Sequence, residues 1–260
     1  MALLEVRGLR VRRGGVSVLD GVSLSAGAGE VVGLIGPNGA GKTTLFDTVC
    51  GYAPDATGSI VLDGRELLGL GADHRSRLGV GRTFQTPRPA PSLSVGESLL
   101  AGCQSRMRTG IVADALRLPR SGRQEQLARE EVERMAGLVG ITSLLSRPVA
   151  GQPLGVLRLV ELARALCGQP RILLLDEAVS GIARDHAERL RGLVRRVVDA
   201  TGVAVVVVEH DVEFVLGVCD FVYVLDAGRL IARGRPEGIR TDPAVVSAYL
   251  GGPVDGVAVG

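Results

Sequence analysis

Residues 30–50 constrain the fold more than any other part of the chain. They read EVVGLI, then GPNGAGKTT, then LFDTVC. A short apolar run, Glu30 to Ile35, predicts a buried strand, and Lys42 to Cys50 has the composition of a helix. The nine residues between are Gly36, Pro37, Asn38, Gly39, Ala40, Gly41, Lys42, Thr43 and Thr44. They fit the phosphate-loop pattern Gly-x4-Gly-Lys-Ser/Thr. Side chains must be absent where backbone amides converge on phosphate oxygens, and the following helix N-terminus adds positive potential. In such a loop Lys42 holds the terminal phosphates of ATP and Thr43 offers its hydroxyl to Mg2+. The bare pattern arises by chance in about one chain in a hundred of this length, and the strand before it lowers that figure. Lys42 is also the only lysine among 30 basic residues. A coding preference for arginine explains the missing lysines but not the position of this one.

The rest of the composition narrows the function by exclusion. A net charge of +2, 3% aromatic residues and no tryptophan give neither the basic stripe nor the stacking platforms of a nucleic-acid binder. Cys50, Cys103, Cys167 and Cys219 are widely spaced, without a Cys-x-x-Cys pair or histidines at zinc-ligand spacing. They are expected to be reduced core residues. The apolar runs, such as Ile172 to Leu175 and Val203 to Val208, fall well short of the roughly 20 residues of a membrane helix. Glu5 and Arg7 interrupt the N-terminal apolar residues, so no secretory signal is expected and the cytoplasm is the expected compartment.

Along the chain, Leu3 to Val11 alternates apolar and polar residues, Gly14-Gly15 breaks the run, and Val18 to Leu24 resumes it. That pattern predicts a leading antiparallel sheet. Further strand-like runs at Ser59 to Leu62, Val80 to Gln85, Ile172 to Asp176, Val203 to Val208 and Phe221 to Leu225 alternate in part with helical sequence. The expected fold is therefore α/β, a P-loop core with a mixed, largely parallel sheet, an antiparallel β subdomain and an inserted helical subdomain. One domain is expected over 1–250, with 1–93 and 168–250 forming the sheet-containing core and about 94–167 the helical lobe. Three prolines in Thr86 to Pro91 suit an extended connector ahead of that lobe, and 251–260 is expected to be a flexible tail.

Ile172 to Glu177 reads ILLLDE, an apolar strand ending in two acids. Taken alone, such a strand leads equally well into a solvated acidic turn. With the phosphate loop in the same chain, a strand end beside that loop places Asp176 on the Mg2+ side and Glu177 against the attacking water.

The ordered set GPNGAGKTT, RTFQ, VELARAL, LLLDE and VVVEHD resembles the ATP-binding subunits of ABC transporters over nearly the whole chain. GVGRTFQ, VELARAL, VEHDVEFV and the ending DPAVVSAYLG are most similar to the subfamily serving branched-chain amino acid uptake. The resemblance implies an ATPase coupled to transport, with ATP and Mg2+ as cofactors. It puts Gln85 near the Mg2+ and His210 at the γ phosphate, while His74 and His186 gain no role and read as surface residues. It implies a second ABC ATPase subunit, membrane permease subunits and, indirectly, an extracellular or periplasmic solute-binding protein as partners, with no nucleic acid. The expected place is the inner face of the plasma membrane. The solute stays open among branched-chain and other small amino acids, urea and amides.

The chain departs from that family where subunits meet. The family's signature turn, usually Leu-Ser-Gly-Gly-Gln, corresponds to Gln152, Pro153, Leu154, Gly155 and Val156. Pro153 has neither a hydroxyl nor an N–H to offer, and only Gly155 matches firmly. Ala178 and Ala183 replace a proline and an aspartate, and Arg12 and Arg13 stand where an adenine-stacking aromatic is common. The elements that serve a chain's own nucleotide are retained and those donated to a partner are altered, which favours a heterodimer over a homodimer. The competing readings are a subfamily that tolerates loose signatures, and a regulatory subunit that binds ATP and barely hydrolyses it. A soluble ABC protein of translation or DNA repair is disfavoured by the single phosphate loop in 260 residues.

Overall fold

Two long alternating strands, β1 (Ala2–Arg13) and β2 (Val16–Gly27), pair antiparallel through the Gly14-Gly15 turn. With β4 (Ala56–Leu62) and the short β5 (Arg65–Glu66) they form a four-stranded antiparallel sheet in the order β2-β1-β4-β5. The structure, a computed structural model, describes residues 2–53, 55–83, 90–103, 119–176, 184–209 and 211–250, and the backbone alone for 119–121, 184–187 and 250.

The second sheet contains β3 (Val31–Ile35), β6 (Val80–Arg82), β7 (Ile172–Asp176), β8 (Ala204–Val208), β9 (Phe221–Asp226) and β10 (Arg229–Gly234), ordered β10-β9-β3-β8-β7-β6. Neighbours run parallel except β10, which pairs antiparallel with β9. β3, β7 and β8 are buried along their whole length, as strands covered on both faces must be. Successive residues serve two cores. Val32, Leu34, Leu174 and Val206 pack with the antiparallel sheet and with α1 (Lys42–Cys50). Ile35, Leu173, Val205 and Val207 face helices on the other side.

Those helices include α3 (Val95–Gly102), α4 (Pro119–Val139), α5 (Leu154–Cys167), α6 (Arg184–Thr201) and α7 (Val212–Val218), while α2 (Ala72–Leu78) follows β5. Ser94 begins α3 with a reciprocal capping box, its hydroxyl accepting from the Glu97 N–H while Glu97 accepts from the Ser94 N–H. α3 and α5 approach closely enough that a Cβ on Gly102 would lie 2.1 Å from the Arg164 carbonyl oxygen. Two short helices, α8 (Pro236–Arg240) and α9 (Pro243–Leu250), close the described chain. Neither they nor β10 stand out in the local sequence pattern. All four cysteines are buried and unbridged. Among the described residues no helix is long and apolar enough to cross a membrane.

Candidate functional site

The phosphate-loop sequence leaves β3 at Ile35 and enters α1 at Lys42, as its strand-loop-helix pattern requires. Gly36, Gly39 and Gly41 take φ of 154°, 81° and 107°. A Cβ on Gly36 would lie 1.9 Å from the Leu225 carbonyl oxygen, and one on Gly41 would lie 2.7 Å from Leu19 Cδ2. Gly39 has open space around it. The loop is thus held against β9 and β2 by two glycines, while Gly39 is demanded by backbone conformation alone. No side chain caps α1, whose N-cap is Gly41. An uncapped helix start preceded by positive-φ glycines is a fitting cradle for a phosphate group.

Lys42 is buried, and its ammonium donates to the carbonyl oxygens of Gly36 (2.6 Å) and Pro37 (3.0 Å). Thr43 is exposed at the same helix start, and the Thr44 carbonyl accepts from the Thr48 hydroxyl. The far end of α1 is held by a residue that sequence reasoning passed over. Arg75 is buried and donates to the carbonyls of Thr48, Val49 and Leu70, placing a cation at the negative end of the helix. Burial lowers its pKa.

Asp176 ends β7 and is buried. Its strand is not the immediate neighbour of the phosphate-loop strand, because β8 lies between β3 and β7. Leu34 pairs with Val208, and Val208 with Asp176, so the three stand level across the sheet. At about 4.8 Å per strand, Asp176 is offset roughly 10 Å from β3. One exposed hydroxyl on α1 and one buried carboxylate at the same sheet edge, with phosphate oxygens and water completing the set, suit an Mg2+ ion.

The carboxylate of Asp176 is engaged by Arg82 of β6, whose Nη2 donates to Asp176 Oδ2 at 2.7 Å. Nη1 of the same guanidinium donates to Asp47 Oδ1 on α1, also at 2.7 Å. Burial would depress the Arg82 pKa, but its bonds to Asp47 and Asp176 outweigh that and raise it. Arg82 stands three residues before Gln85 in GVGRTFQ, and Asp47 five residues after Lys42. Neither was singled out in the sequence, because an ion pair across 94 positions leaves no local pattern. Arg13, one of the two arginines expected where an adenine-stacking aromatic is common, reaches Asp47 Oδ2 at 3.3 Å, while Arg12 donates to the Gly15 carbonyl. At the other end of the chain, burial raises the pKa of Tyr249, opposed by a backbone hydrogen bond from Gly36.

Of the signature-like residues, Gln152 and Pro153 precede α5, and Leu154, Gly155 and Val156 form its first helical turn. Leu154 is 51% exposed. Gln152 donates to the Pro148 carbonyl, and Pro153, the N-cap, offers no side-chain bond. Gln85, Glu177 and His210 lie outside the described residues, as do Ala178, Ala183, most of the proline connector and 251–260. A cavity of about 290 Å³ opens between β6, α2 and the α3–α5 pair, lined by Tyr52, Ser76, Arg82, Gly102, Arg164 and Pro170.

A parallel sheet carrying a glycine-rich loop into an uncapped helix, with a buried acid level with that loop, defines a P-loop nucleotide-binding protein. The chain belongs to the ABC transporter family: the family profile described as "ABC transporter" matches residues 19–180, and "Branched-chain amino acid ATP-binding cassette transporter" matches residues 229–255. It is 36% identical to the high-affinity branched-chain amino acid transport ATP-binding protein BraF of Pseudomonas aeruginosa, over 96% of this chain and 98% of that one. The lipopolysaccharide export system ATP-binding protein LptB of Escherichia coli K12 is 34% identical over the same shares of the two chains. Among solved structures, the ADP conformation of MJ1267, an ATP-binding cassette of an ABC transporter, superposes with a TM-score of 0.84 at 29% identity. That match covers 96% of this chain and 99% of the other.

Proposed function

We propose that this chain is the ATP-hydrolysing subunit of an importer for branched-chain or other small amino acids. The observation that carries the reading is the uncapped glycine loop of α1 level with the buried Asp176, in a chain 36% identical to BraF over nearly its full length. Mg-ATP, when bound, supplies the phosphoanhydride whose cleavage drives transport. Around it, Gly36 to Thr44 cradle the phosphates, Lys42 neutralises charge, and Thr43, Asp176 and Gln85 serve the metal side. Glu177 polarises the attacking water and His210 stabilises charge on the γ-phosphate side.

The domain is proposed to span 1–250, working at the inner face of the membrane against permease subunits, with a solute-binding protein beyond them. The cavity beside Arg82 faces both the sheet edge and the helical elements, which suits a permease segment that must feel the nucleotide state. Pro153 at the start of α5 supports pairing with a second, different ABC ATPase whose own signature turn is intact. The import direction rests on the motifs' resemblance to the uptake subfamily; the branched-chain relatives are named for transport without a direction, and LptB belongs by name to an export system.

Lys42→Ala, Glu177→Gln and the parent protein separate binding from turnover. Purified Glu177→Gln should keep ATP and lose hydrolysis, and Lys42→Ala should lose both. A parent protein that binds ATP but hydrolyses it no faster than Glu177→Gln would replace this reading with the regulatory one. The solution mass of Glu177→Gln with Mg-ATP decides the pairing. A homodimer of this chain alone would remove the case for a different partner.

A further inference from the structure

Three elements meet at one guanidinium. Arg82 lies on the edge strand β6, Asp47 on the helix that follows the phosphate loop, and Asp176 at the end of β7. The two carboxylates are reached by different nitrogens of Arg82, each at 2.7 Å, and its side chain is 8% exposed. Arginine suits this bridge because its planar fork carries several donors in fixed relative positions, whereas an ammonium is a single point. The Phe46 ring lies alongside, its centroid 5.8 Å from the guanidinium carbon. Beside it, the Asp176 N–H donates to the Thr83 hydroxyl at 3.4 Å. Arg13 extends the chain of alternating charges to the β1–β2 turn through Asp47.

We propose that Arg82 is a positioning residue for the metal-side acid, clamping the Asp176 carboxylate of β7 to Asp47 on the phosphate-loop helix. The inference rests on reading Asp176 as the Mg2+-side acid. Thr43 and Asp47 share α1, while Asp176 belongs to a strand separated from β3 by β8. The sheet ladder fixes the height of Asp176 but does not tie it to α1. Arg82 makes that tie, so it sets how far the exposed hydroxyl of Thr43 stands from the buried carboxylate. It uses one oxygen of Asp176 and restricts rotation of the carboxylate. Partners that orient a metal-binding carboxylate commonly govern metal affinity by 10–100-fold.

The test is equilibrium binding of ATP to the full chain, titrated with Mg2+ and repeated in EDTA, for the parent, Arg82→Gln, Arg82→Lys and Asp176→Asn. Arg82→Gln should keep its affinity for ATP in EDTA within about twofold, because the loop is untouched, and should need about 10–100-fold more Mg2+ for half-saturation. Arg82→Lys, which keeps the charge and at most one of the two bonds, should fall between. An unchanged Mg2+ requirement would make Arg82 a purely structural residue and overturn the proposal. A lower requirement would also overturn it, since Arg82 would then compete with the metal. If Asp176→Asn itself leaves the Mg2+ requirement unchanged, the reading of Asp176 fails and the proposal falls with it. Should Arg82→Gln not fold, Asp47→Asn removes the outer anchor, and a shift in the same direction but smaller is expected, with no shift counting against the clamp.

Discussion

Replacing Gly36 by alanine should destabilise the nucleotide-free protein far more than replacing Gly39, although both are glycines of the same loop. At Gly36 the backbone φ is 154°, and the new methyl would start 1.9 Å from the Leu225 carbonyl oxygen of β9. The Leu225 carbonyl and the Ala40 methyl beside it are not flexible side-chain ends, so β3 and β9 must separate or the loop must move. Backbone strain of about 1–3 kcal/mol and overpacking of about 1–3 kcal/mol together predict a loss of about 2–6 kcal/mol. Against a total stability of about 5–15 kcal/mol, that is a large fraction. At Gly39 the φ of 81° is strained for alanine, but nothing lies within 4 Å of the added carbon. About 1–2 kcal/mol is expected there. Urea unfolding of both variants without nucleotide measures the two losses directly. Equal losses, or a Gly36→Ala loss under about 1 kcal/mol, would refute the claim that this glycine answers to β9 as well as to phosphate.

Glu161 on α5 is buried, its Oε2 paired with Arg164 and its Oε1 without a partner among the described residues. Burial raises its pKa, opposed by Arg164, so the native state holds this proton more tightly than the unfolded chain. Stability should therefore fall as pH rises from the unfolded glutamate pKa toward the higher folded one, and Glu161→Gln should remove that component. The gain of the variant over the parent in chemical denaturation should shrink on going from pH 7 to pH 4. Gly155→Ala should leave the stability of the isolated chain within about 1 kcal/mol, because the residue is helical with open space around it. A fall in ATPase without a fall in stability would then locate its role at a partner's nucleotide, and unchanged ATPase would deny it one. Lys42 is the only lysine, so an amine-selective reagent can modify one side chain in the protein. Mass spectrometry should show slow modification of the buried Lys42, slowed further by ATP. Equal rates with and without ATP would contradict its place at the phosphates.

Those elements that carry their own periodicity were legible in the sequence. β3, α1, β7 and β8 stand within a residue of the runs that announced them, since a strand buried on both faces is apolar throughout. The order of strands was less legible, and β8 between β3 and β7 is set by crossover packing rather than by any local run. β10 is half-exposed and reads RLIARG, too mixed to separate from a loop. At the site, the loop residues and Asp176 were found from motifs, whereas Arg82, Asp47 and Arg75 were not. The pairings that tie them to the site reach residues 26 to 94 positions away.

The glycine at the end of α3 has a mechanical consequence. With no room for a methyl between Gly102 and the Arg164 carbonyl, the backbones of α3 and α5 bear on each other without a cushion of side chains. Neither helix can slip sideways past the other at that point. That contact lies near the C-terminal end of α5, and Leu154 and Gly155 form the first turn of the same helix, so the α3 contact and the signature-like turn sit on one rigid element.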